Sequence, residues 1–259
     1  MTGIYQTRTS GAAGWALAVA RFSTVLLALA ALVHRYRFLG TPDFLAVMLV
    51  ISGLAIFALL LAAFSFRAVW KRGDEGGTAI AAAVFYSAIA LAPLASVSVM
   101  SLVFPAIHDV STDLTDPPPL MQPQLPANAV TNAPGPISPK DAEAITANWP
   151  EASGRRYDVS IDRAVEAVTL LLAERQWPVT AQRGTVGVDG DILLFAVAES
   201  AGLRFTSDVS VRVTDEGATV FIDMRSASRY GRRDFGGNAR WIIAFLADLD
   251  VAIATGRAN

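Results

Sequence analysis

The chain has no cysteine among its 259 residues, which excludes disulfides, thiolate nucleophiles and sulfur-ligated metals. Histidine is nearly as scarce: His34 and His108 are the only 2. At most one is available to the C-terminal half, too few for a zinc site resting on a histidine pair. Charge is sparse too, at 17% of residues, and unevenly divided. Up to Pro105 there are 7 Lys or Arg and 3 acids, and beyond it 14 and 20. An acidic C-terminal half repels phosphate backbones, so no nucleic-acid partner is expected. Phosphate-loop, dinucleotide and zinc-protease motifs are also missing, and no cofactor is expected.

What is present is apolar length. Phe44 to Phe66 and Gly76 to Ile107 carry no charge, and Thr9 to Val33 carries only Arg21. About 20 apolar helical residues at about 1.5 Å each cross a hydrocarbon core of about 30 Å. Three spans are therefore predicted, over about 13–33, 44–66 and 79–104. The first resembles a signal peptide at Ala28-Leu29-Ala30, but it exceeds the usual signal core, so an uncleaved span is expected. Arg21 either snorkels toward the inner face or pairs within the bundle. The other spans hold no second ionisable group with which it could form an ion relay. Arg8, Arg67, Lys71 and Arg72 flank one side of the bilayer and Arg35 and Arg37 the other. The positive-inside rule then puts the N-terminus in the cytoplasm. The expected location is the inner membrane, multi-pass, with the C-terminal domain in the periplasm.

Between Pro117 and Pro150 stand 9 of the 13 prolines. Such density removes backbone donors and fixes φ, so residues 107–150 read as an extended strap or linker. Residues 151–259 then follow the pattern of a compact α+β domain. Arg156 to Val159 is a possible opening strand, and Ser160 can cap a helix carrying Ala164, Val165, Val168, Leu171 and Leu172. Four strands are predicted next: Pro178 to Thr185, Asp191 to Glu199, one around Val209, Val211 and Val213, and Thr219 to Arg225. One face of these strands should be buried and the other wet. A last helix begins near Asn238, with Ile242, Phe245, Leu246, Leu249 and Ile253 as its apolar stripe. The order β-α-β-β-β-β-α favours a largely antiparallel sheet with both helices on one face.

Two segments resemble a known family. Ile107-His108-Asp109-Val110-Ser111-Thr112-Asp113-Leu114-Thr115-Asp116-Pro117-Pro118 is similar to the opening of the bacterial and plastid domain-of-unknown-function family 1499. Asp208 to Val213, with Asp223-Met224-Arg225-Ser226-Ala227-Ser228-Arg229 and the residues on to Arg240, resembles its C-terminal half. Ser207 stands where that family often has a second acid. The resemblance implies an extracytoplasmic domain, in many members tethered by membrane spans, and implies no established activity.

Two clusters are candidate sites. Arg225, Arg229, Arg232 and Arg233 fall close together before a helix opened by Gly236-Gly237-Asn238, with Arg240 one turn on. Guanidinium groups and a helix N-terminus both favour anions. These residues are expected to hold an anionic ligand: a lipid headgroup, a cell-wall group or the acidic surface of an envelope protein. The competing reading pairs the arginines with the domain's own acids and uses Asp234 as the cap. The second cluster is His108 with Asp109, Asp113 and Asp116. Its spacing fits no calcium loop, so no metal is expected there, and the acids are expected to satisfy local backbone donors. Binding without catalysis is the expected function. The alternative is an extracytoplasmic hydrolase with His108 as base and Ser226 or Ser228 as the oxygen, although neither serine lies in a nucleophile elbow.

Overall fold

The computed structural model describes residues 10–121 and 131–256; Arg8, Pro123 and Pro126 fall outside them. The chain divides into two compact units, residues 1–100 and 101–259.

The first unit holds α1 (Gly11–Arg35), α2 (Thr41–Arg72) and α3 (Gly77–Val103), whose last turn runs past the division. All three are long and apolar enough to cross a membrane. Ala13, Ala16, Ala20, Ala58, Ala62 and Ala83 pack between the helices, while Trp15, Phe22, Leu29, Phe57 and Phe64 point outward. Small residues inside and large apolar ones outside suit helices solvated by lipid, where close backbone approach replaces the hydrophobic drive. The hydroxyls of Ser23, Ser52 and Ser65 donate to carbonyls one turn back, which satisfies these three away from water. The Arg21 guanidinium lies 5.6 Å from the centre of the Tyr86 ring. This is a cation–π contact between neighbouring helices, made by a side chain that is itself exposed. Three such helices fit a membrane protein.

The second unit is α+β. Its elements are β1 (Asp109–Ser111), α4 (Pro139–Asn148), β2 (Arg155–Tyr157), α5 (Ile161–Glu174), β3 (Val179–Arg183), β4 (Asp191–Glu199), β5 (Thr206–Asp215), β6 (Val220–Ser228) and α6 (Gly237–Thr255). From β2 onward this is the predicted order. The Ser160 hydroxyl accepts from the Arg163 amide at the start of α5, as expected of an N-cap. α5 stops at Glu174, short of Pro178, because Gln176 turns the chain at φ 57°.

The sheet is antiparallel in the order β1-β6-β5-β4-β3, with β2 also on β6. β1 pairs with Arg225 to Ala227 and β2 with Val220 to Ile222, so two short strands share one edge of β6 end to end. Across the sheet, Ile192 faces Val213, which faces Ile222, and Leu194, Val211 and Met224 form the next row. These rows pack against Ala164, Val168, Leu171 and Leu172 of α5 and Ile242, Phe245, Leu246 and Leu249 of α6 in one core.

The structure differs from the sequence expectation in two places. The proline-rich segment is not simply a spacer: it supplies β1 to the sheet and folds α4 behind an N-cap in which Ser138 accepts from the Asp141 amide. The sheet face away from the helices is also drier than predicted. Ser210, Asp223 and Arg225 on it are all nearly inaccessible, and the strap bonds Asp223 through Thr112 and Arg225 through the carbonyls of Pro118 and Gly135.

Candidate anion-binding site

The strap attaches to the sheet through carboxylate–guanidinium pairs. In β6, Arg225 is 3% exposed and bridges Asp109 in a fork, with Nε to Oδ1 at 3.0 Å and Nη2 to Oδ2 at 2.7 Å. Its remaining donors reach the carbonyls of Pro118 and Gly135. Two points of the strap, at residues 118 and 135, are thus tied to a single side chain. Arg212 of β5 does the same for the next turn of strap. It bonds Asp223 Oδ2 at 2.9 Å, Asp116 Oδ2 at 2.8 Å and Asp113 Oδ2 at 3.3 Å. The other oxygen of Asp113 accepts the amides of Thr115 and Asp116 and fixes that turn.

Two charged residues in this network titrate abnormally. Burial holds the Asp223 carboxyl above the usual carboxylate range, outweighing its bonds from Arg212 and Thr112, and the nearby Asp113 charge adds to the rise. Burial also works to lower the Arg212 pKa, but its bonds to Asp223 and Asp116 raise it overall.

The loop that follows β6 is built differently. Arg229 forks onto Asp208, with Nη2 to Oδ1 at 2.6 Å and Nε to Oδ2 at 2.9 Å. The carboxylate of Asp234 accepts the amides of Gly236 and Asn238, the first donors of α6, and burial keeps its pKa raised. Asn238 is buried. Its amide nitrogen donates to the carbonyl of His108 and the hydroxyl of Ser228, and its oxygen accepts from Ser226. Asn132 donates to the carbonyls of Ser228 and Gly231 and so fixes the loop from the strap side.

Of the six residues read as the anion site, Arg225, Arg229 and Asn238 therefore have internal partners. Arg232, Arg233 and Arg240 remain at the surface, the first and last of them exposed. Arg233 donates to the carbonyl of Phe104 at 2.6 Å and Arg240 to that of Phe235 at 3.1 Å. Among the described residues, none of these three has a carboxylate within salt-bridge distance. Gly236, at φ 73°, packs beside Arg240. A Cβ there would come within 2.9 Å of the Trp149 ring, 3.2 Å of Arg240 Nη1 and 3.4 Å of the Phe104 ring.

The second cluster is drawn apart. Asp109, Asp113 and Asp116 face Arg225 and Arg212, and none of their carboxylates hydrogen-bonds the His108 imidazole. Ser226 and Ser228 bond Asn238, and Ser228 also meets Ser207 at 3.2 Å. No group of three metal-ligating side chains occurs among the described residues.

Sequence reasoning named none of Arg212, Asp223, Asp208 and Trp149 as a site residue, and read Phe104 as an interfacial aromatic at a span end. The register signal was present, since Arg212 faces Asp223 directly across β5 and β6, but it is visible only once the strands are aligned.

No curated protein matches the chain. Among solved structures, CalU16 from Micromonospora echinospora is similar at 16% identity with a TM-score of 0.21, over 40% of this chain and 80% of that one, a likeness too slight to carry an argument. The model of a family described as proteins of unknown function, DUF1499, matches residues 109–249. That match starts at the first residue of β1 and ends in α6, and covers more than half of the chain, which therefore belongs to the DUF1499 family.

Proposed function

We propose that the protein is an envelope protein of the inner membrane whose C-terminal domain lies in the periplasm and binds an anionic ligand without catalysis. Arg232, Arg233 and Arg240 are the binding residues in this reading. One observation carries it: in a domain where Arg212, Arg225 and Arg229 each meet a carboxylate, these three do not. A guanidinium keeps its charge at any physiological pH, and three close together in sequence can attract phosphate or carboxylate by charge and by forked hydrogen bonds.

The pairing of Arg229 also dictates the variant to use. Reversing it would set two carboxylates against each other at Asp208, so Arg232→Glu with Arg240→Glu is the cleaner test. With full-length protein in nanodiscs of zwitterionic lipid, titration with short-chain polyphosphate is expected to show saturable binding that the double variant weakens by about tenfold or more. Equal affinity in both proteins would remove the arginine surface.

The side of the membrane is tested separately. A reporter enzyme that matures only after export, fused behind Asn259, is expected to be active. Activity from a cytosolic reporter in its place would reverse the orientation.

A further inference from the structure

Arg233 and Arg240, two of the three arginines without a carboxylate at salt-bridge distance, share their surroundings with the residues that follow the last apolar helix. α3 ends at Val103, and Phe104 is the next residue. Arg233 Nη1 donates to the Phe104 carbonyl at 2.6 Å, and the Asp234 amide donates to the carbonyl of Ile107 at 3.0 Å. The Phe104 ring, the Trp149 ring and Arg240 all come within 3.4 Å of one point, the Cβ position of Gly236. The loop from Arg229 to Arg240 is thus clasped onto the first four residues after the helix. Consecutive Cα atoms are about 3.8 Å apart, so Phe104 can lie only a few ångströms from the end of the span.

The composition of the patch points the same way. Phe104 and Trp149 are half-buried, while Arg232 and Arg240 are exposed. Aromatic rings beside cations are the residues that settle at the headgroup level of a bilayer, where the rings sit in the interface and the cations meet lipid phosphates. α3 is uncharged from Gly77 to Val103, so it brings no cation of its own to the residues that follow it.

We infer that the anion bound by Arg232, Arg233 and Arg240 is the phosphate of acidic phospholipids in the leaflet through which α3 exits. This rests on the anion-binding reading above and narrows it to one source. The domain then has a membrane-facing side, set by the loop before α6. Arg183, on β3 at the far edge of the sheet, faces no such surface.

The test is amide hydrogen exchange on full-length protein in nanodiscs, of phosphatidylcholine alone and of phosphatidylcholine with phosphatidylglycerol. Residues 229–240 are expected to exchange about tenfold more slowly in the acidic discs. That protection should fall at high salt, vanish in Arg232→Glu/Arg240→Glu, and persist in Arg183→Glu. Should the double variant lose its native tryptophan fluorescence, Arg232→Gln serves in its place, because Arg232 is exposed and lacks a carboxylate partner.

Each other outcome overturns the inference. Equal exchange in both discs, with polyphosphate binding still dependent on Arg232 and Arg240, removes the lipid and leaves the anion site. Equal protection by inorganic phosphate in neutral discs makes the ligand a soluble one. Equal loss in Arg183→Glu reduces the effect to net charge. Failure of both lipid and polyphosphate to bind removes the site altogether.

Discussion

Replacing Arg225 with leucine is expected to lower the unfolding free energy of the C-terminal domain by about 3–5 kcal/mol. The guanidinium is almost wholly buried and serves Asp109, Pro118 and Gly135 together. Removing it leaves a largely buried carboxylate without its countercharge and two carbonyls without a donor, which is far costlier than losing a surface ion pair. Urea titration of the full-length protein in micelles, followed by tryptophan fluorescence, measures the loss. The double replacement Arg225→Leu with Asp109→Leu separates charge from packing. Because a buried pair replaced by apolar groups is often near neutral, it should recover most of the deficit, short of the part due to the two carbonyls. A single-variant loss below about 1 kcal/mol would mean that the pair does not hold the strap.

A second large loss, again about 3–5 kcal/mol, is expected from Phe245→Ala. Phe245 is fully buried in α6. Its ring stacks on Trp177 at 6.1 Å between centroids, and Arg175 lies 5.5 Å from its centre. Truncation opens a cavity between the two helices where neither Trp177 nor the sheet can follow without breaking its own contacts. The tryptophan emission should shift to the red at lower urea than in the parent protein. An unchanged midpoint would show that the α5 and α6 layer is not what stabilises the domain.

These two sites mark what could be read from the chain. Phe245 was legible, because a helical apolar stripe is local information and α6 buries the stripe it advertises. The spans were legible for the same reason. Arg225 was read with the basic residues before α6 as an anion-binding cation, whereas in β6 it lies on the face away from the core, where a side chain is exposed only if nothing covers it. The cover is the strap, and its partner acid is 116 residues away. Both the arginines and the acids stood in the sequence, but no spacing rule links Arg212 to Asp116 across 96 residues. β1 escaped notice because three residues between prolines and acids have no period to detect. Their strand conformation comes from the edge that β6 offers.

That edge also orders the events of biogenesis. β1 is the first element made after α3, and its partner β6 is nearly the last, so this segment waits for almost the entire domain before it can hydrogen-bond. Closing a loop of that length is entropically unfavourable and comes late in folding. Until synthesis has delivered Arg212 of β5 and Arg225 of β6, therefore, Asp113 and Asp116 and then Asp109 stand unneutralised, and an incomplete chain keeps this segment open to proteases.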